Sequence, residues 1–140
     1  MVMKHHARIQ PLTTTSRGWT VLESVRIDSH HPQYGHGTVD LDTLQAEYIH
    51  ARLSQISFAF SHQMQAEPLV TTLSRCGAEA LPVTMIEEDD VKLHALVIRN
   101  DQGKVYLEPE EIAHIRQELE RVVIEFLHDK GWGGEDAGNQ

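Results

Sequence analysis

Three histidines, His30, His31 and His36, crowd the segment from Asp28 to Gly37, and Asp40 and Asp42 follow just beyond it. Imidazole nitrogen with carboxylate oxygen is a donor set that suits zinc, nickel or iron, and a loop can wrap such ligands round one ion. These five residues define a candidate site for a divalent transition metal. Their spacing matches neither an H-E-x-x-H pair nor a Cys/His knuckle. The plainer expectation is a polar loop in which Pro32, Gly35 and Gly37 make turns, and on that expectation the chain carries no cofactor.

A second cluster is purely acidic. Glu87-Glu88-Asp89-Asp90 interrupts two apolar runs, and Asp101, Glu108, Glu110 and Glu111 follow it. The simplest role for the block of four is a solvated turn. A functional role is contact with a protein partner of basic surface, because complementary charge steers association. Brought to one end of a sheet, the eight carboxylates would form such a contact face.

Other chemistry-bearing residues point less far. Glu111-x-x-His114 and Glu125-x-x-His128 resemble di-iron ligand pairs, but such pairs come from facing helices and these share one helix. They fit a solvated face of i,i+3 and i,i+4 charge pairs. Cys76, beside Arg75, sits at the expected C-terminal end of a helix, the wrong dipole end for a thiolate nucleophile. No serine lies in a G-x-S-x-G elbow, and Gly35-His36-Gly37 lacks the rest of a phosphate loop. No catalytic residue is assigned.

The elements that must position these groups follow from periodicity. Trp19, Val21, Val25 and Ile27 alternate as a half-buried strand, 19–27. Asp42 and Gln45 have capping-box spacing and open a long helix, 42–65, although Ile56 to Ser61 also alternates at period two. Pro68 and Gly77 bracket a short helix, 68–76. Strands 83–86, 91–99 and 104–107 follow, the last two joined by the hairpin loop Asn100-Asp101-Gln102-Gly103. Ile112, Ile115, Leu119, Val122, Val123, Phe126 and Leu127 form one stripe of a C-terminal helix, 109–130. The expected fold is α+β: an antiparallel sheet of about four strands with the three helices on one face. Residues 1–17 are expected as a flexible arm, 18–131 as one domain and 132–140 as a disordered acidic tail. No internal repeat is visible.

Composition narrows the function. The chain of 140 residues carries a net charge of −9. The first 70 residues hold five basic and six acidic side chains, the remainder seven and fifteen, so the acid is concentrated C-terminally. Direct nucleic-acid binding is not expected of such a chain, since that affinity comes chiefly from Lys and Arg. One cysteine permits no intrachain disulfide and suits a reducing, cytoplasmic setting. No apolar run approaches membrane-span length. The ten histidines make the charge strongly pH-dependent. Ile49 and Phe58 lie off the main stripe of the long helix, so a second copy of the chain is an expected partner. These observations converge on a small acidic interaction protein without catalytic function. It would inhibit or regulate a basic partner, with assemblies that handle nucleic acid included. The alternative is a small metal-binding protein or metal-dependent enzyme built on the 30–36 loop.

Overall fold

The computed structural model of the chain describes residues 7–61 and 75–129. In chain order the elements are β1 (Arg8–Ser16), β2 (Trp19–His31), β3 (Gly35–Leu41), α1 (Thr43–Ser61), β4 (Glu79–Glu87), β5 (Asp90–Asn100), β6 (Gly103–Leu107) and α2 (Pro109–Val122). The helix α2 passes into a π-helical segment, Val123–Asp129. All six strands join one antiparallel sheet in the order β1-β2-β3-β6-β5-β4.

Among the described residues six strands and two α-helices stand where about four strands and three helices are expected. Residues 8–16, expected in a loose arm, form β1. Its outer half is fully exposed Thr13-Thr14-Thr15-Ser16, so burial imposes no apolar alternation, while β-branched threonine still suits an extended backbone. Residues 35–41, expected as a loop up to Gly37, form β3: Gly35, at positive φ, closes the turn, while Gly37 sits inside the ladder opposite Ser29. The interval 56–61 is helix. Ile56 continues the buried series of Ile49 and Leu53, and that decides its period. Of the expected helix 68–76, residues 68–74 lie outside the described residues, and Arg75 and Cys76 sit in a turn and a bend. The expected tail, 132–140, also lies outside them.

Strand order exposes a repeat that the sequence conceals. Each half is a three-stranded meander followed by a helix, and the sheet order is symmetric about the β3–β6 junction. Adding 71 to a β1–β2 position gives its β4–β5 counterpart: the pair Arg8↔Asp28 becomes Glu79↔Arg99, and Leu12↔Ser24 becomes Val83↔Ala95. The register shift after Leu12 recurs after Val83, leaving Glu23 and His94 as matching bulge residues. Both hairpins turn through two residues of positive φ, Arg17 and Gly18 in one, Glu88 and Asp89 in the other. Such a turn matches the strands' own twist. From Gly37 onward the offset is 66, pairing Gly37 with Gly103 and the N-cap Asp42 with the N-cap Glu108. The difference of five residues is one insertion: residues 30–36 stand where the second half has only Asp101 and Gln102.

The core is paired in the same way. Val25 and Leu96, Ile27 and Ile98, Val39 and Val105, Leu41 and Leu107 point from the sheet toward Ile49 and Ile115, Leu53 and Leu119, Ile56 and Val122 of the helices. All are essentially fully buried. Arg52 of α1 donates to the carbonyl of Ala80 at 3.2 Å and ties the first helix to the second meander. Polar contacts in the two halves are matched but inverted. Arg8 faces Asp28 at 3.8 Å, whereas at the equivalent site Glu79 accepts from Arg99 at 3.0 Å.

Gly37 and Gly103 lie where the halves meet. A Cβ on Gly37 would collide with the carbonyl oxygen of Lys104, and one on Gly103 with that of Thr38. Thr38↔Lys104 is the sheet pairing between the halves. Gly37→Ala and Gly103→Ala should therefore each destabilise the fold by about 1–3 kcal/mol, the usual cost of overpacking against backbone. Chemical denaturation of the two variants checks this; two neutral substitutions would show that the junction is not tight.

Candidate functional site

The eight carboxylates expected to form one face do not assemble. Glu87 to Asp90 cap the β4–β5 hairpin, while Asp101 lies in the turn at the far end of β5. Ten residues of strand separate Asp90 from Asn100, about 33 Å at an ordinary strand rise. Glu108 and Glu110 begin α2, level with the middle of β5, because Leu107 pairs with Leu96. Glu111 is buried and structural. Its Oε1 accepts from the Glu108 backbone N–H at 3.2 Å and its Oε2 from the Ala7 backbone N–H at 2.8 Å.

What remains at the hairpin is a compact feature that sequence reasoning only half found. Beyond the bulge at His94, residues 84–92 are all exposed and project past the helices. Their acid sits beside apolar side chains: Met85 is 43% exposed, Ile86 76% and Val91 59%. Ile86 and Val91 are direct cross-strand partners, and the next pair outward is Glu87 and Asp90. Lys92 reaches Glu87 at 3.2 Å, which leaves Glu88, Asp89 and Asp90 as the uncompensated charge of the tip. The valine and isoleucine read as core strand in the sequence; the adjoining block of four acids is the signal that the apolar run ends outside the core. The matching tip of β1–β2 also shows apolar surface, at Trp19 and Val21, but its only charge before the bulge is Arg17.

The five candidate metal ligands are each committed elsewhere or apart. Asp40 accepts two hydrogen bonds from the Arg26 guanidinium, at 2.7 and 3.0 Å. Asp42 caps α1, accepting from the Gln45 backbone N–H at 2.8 Å, and Gln45 Oε1 accepts from Asp42 N–H in return. His36 donates through Nε2 to Asp28 at 2.6 Å. His31 is buried, and its Nδ1 accepts from the backbone N–H groups of Gln33 and Tyr34. The His30 and His36 rings are 6.4 Å apart. Among the described residues no group of three or more His, Cys, Asp or Glu is placed to hold a metal ion.

The inserted loop instead folds over the sheet face opposite the helices. Tyr34 stacks on Tyr106 with ring centres 4.3 Å apart, and Gln33 pairs with His94 Nε2 at 2.8 Å. Ala95 and Val97, beside Leu96 and Ile98 on β5, are also buried. The first half of the same face is open, a shallow groove of about 480 Å³ lined by Arg8, Gln10, Arg26, Asp28 and Thr38. Its charges neutralise one another. The Thr38 hydroxyl, then His36, holds the Asp28 carboxyl below the usual carboxylate range, and Arg26 does the same for Asp40. Ile49, expected off the core stripe, is fully buried, while Phe58 is 57% exposed. No helix among the described residues is long and apolar enough to cross a membrane.

No protein-family model, curated protein or solved structure matches the chain.

The equivalent third positions of the helices, Gln45 and Glu111, make opposite demands. Gln45 donates through Nε2 to the Cys76 carbonyl at 3.0 Å, whereas the same branch of Glu111 accepts from Ala7 N–H. Gln45→Glu sets a carboxylate against a carbonyl, and Glu111→Gln can set a donor against a donor. Each should cost about 1–3 kcal/mol in denaturation midpoints, the penalty of an unsatisfied buried group.

Stability should also fall with acid in two stages. Burial between the helices, with Arg116 nearby, lowers the His50 pKa from 6.5 against an opposing pull from Glu120. The unfolded chain therefore takes up that proton first, and stability held above about pH 6.5 declines below it. Asp28 and Asp40 have folded pKa values below 3.8, so their contribution is complete above that pH and is lost as the pH falls through the lowered values. Melting temperature against pH checks both. His50→Gln should flatten the first stage and Thr38→Val should weaken the second.

Proposed function

We propose that the protein is a non-catalytic interaction module, an inhibitor or regulator that binds a protein partner of basic surface through the tip of the β4–β5 hairpin. The observation that carries this is the arrangement there: Ile86 and Val91, largely exposed and paired across the strands, are framed by Glu87, Glu88, Asp89 and Asp90. Exposed apolar side chains rimmed by charge mark interaction surfaces in folded proteins. Apolar contact supplies affinity, and the carboxylates select a basic rim and speed encounter. The notion of an eight-carboxylate face is not carried forward, because Asp101 is remote and Glu111 is spent on the fold. A partner that itself handles nucleic acid has the right sign of surface, since such surfaces are rich in Lys and Arg.

Affinity capture with the intact chain tests the proposal against two variants, Ile86→Ser and the pair Glu88→Lys with Asp90→Lys. All three substituted positions are exposed, so the fold should be kept, and circular dichroism checks that. The proposal expects recovery of a defined basic protein, lost in both variants and weakened by salt, because exposed charge pairs are screened. Equal recovery by the charge-reversed variant would remove the tip from the account.

A further inference from the structure

Among the described residues both edges of the sheet present unpaired backbone, β1 on one side and β4 on the other. Natural edges are guarded by proline, charge or distortion, because a free row of N–H and C=O groups invites another strand. Here the guards are equivalent residues, Pro11 and Pro82, and the register shifts lie one step further on, after Leu12 and Val83. Only the inner half of each edge is thus protected. The outer halves, Thr13–Ser16 and Thr84–Glu87, are regular antiparallel strand, and no described residue pairs with the outer side of their backbone.

The two outer halves differ in side chains. In β1 they are three threonines and a serine, ending at Arg17. In β4 they are Thr84, Met85, Ile86 and Glu87, ending at Glu88, Asp89 and Asp90. A strand laid along β4 would meet Thr84 and Ile86 on one face and Met85 and Glu87 on the other, with three further carboxylates just past its end. We propose that the outer half of β4 takes up an extended segment of the partner as an added strand, and that this segment alternates apolar residues with lysine or arginine. The inference rests on the proposed function and deepens it. Main-chain hydrogen bonds supply the common affinity of this mode, and side chains on alternate positions supply selectivity. Charge argues for a basic segment over a second copy of the chain, since each copy has a net charge of −9 and would bring a second acidic tip to the same edge.

The full chain, isotopically labelled, can be titrated with acetyl-Lys-Val-Lys-Val-Lys-Val-amide while amide exchange is followed by NMR. The proposal expects outward-facing amides within Thr84–Glu87 to exchange roughly tenfold more slowly or better at saturation, with Thr13–Ser16 unchanged. Methylating the peptide amides along one edge should weaken binding roughly tenfold, since that removes main-chain bonds and leaves the side chains. Equal binding by the methylated peptide would overturn strand addition and leave a side-chain docking surface, so the proposed function would survive. The same protection from a peptide with glutamate in place of lysine would overturn the selection of a basic segment. Protection that rises with protein concentration without peptide would assign the edge to a second copy and overturn the proposal. Absence of any change at Thr84–Glu87 would also overturn it, whereas failure of the proposed function shows separately, as capture that ignores Glu88→Lys with Asp90→Lys.

Discussion

The close approach of two backbones at the middle of the sheet is the constraint on which the rest of the molecule depends. Gly37 and Gly103 each lie against the other half's main chain with no room for a Cβ. That contact lets β3 and β6 pair at Thr38 and Lys104, and it joins two three-stranded meanders into one sheet. In the joined molecule α1 is tied to β4 through Arg52, and Glu111 of α2 holds the strand entry at Ala7. Each half's helix is therefore fixed partly by the other half, and a single core results.

Equivalence of the halves also separates what the fold requires from what it merely carries. Capping, buried stripes, bulges, edge prolines and two-residue turns recur at fixed offsets, so they belong to the architecture. Two further features set the halves apart. The insertion 30–36 stacks Tyr34 on Tyr106 of β6 and pairs Gln33 with His94 of β5, and so serves the second half of the sheet. The acid of the β4–β5 tip has no counterpart at Arg17 and Gly18, and among the described residues only Glu87 of that block has an ion-pair partner, Lys92. This departure from the repeat is what the proposed function draws on.

Much of this was legible in residues and some was not. The α2 stripe, the Asp42–Gln45 cap and the turn at Glu87–Asp90 follow directly from spacing, since local rules govern them. Strand β1 was hidden because its exposed threonines need no alternation, and β3 because Gly37 serves close approach rather than a turn. The repeat was hidden because it is conserved in shape more than in residue: Arg8 and Asp28 answer to Glu79 and Arg99, and Gln45 to Glu111. The histidines suggested a metal, yet hydrogen bonding inside the fold engages His31, His36, Asp40 and Asp42. Which carboxylates converge depends on strand length: the strand expected over 91–99 already sets Asp90 and Asp101 at opposite ends of one element, and β5, Asp90–Asn100, keeps them there.

One chimaera tests the whole account: the chain with residues 84–92 replaced by residues 13–21, its own equivalent tip. The measurement is the affinity of the folded chimaera for the Lys–Val peptide beside that of the native chain. If the halves are equivalent and the β4–β5 tip is the binding element, the chimaera keeps the native unfolding transition and loses the affinity. A folded chimaera that binds as tightly as the native chain would contradict the account.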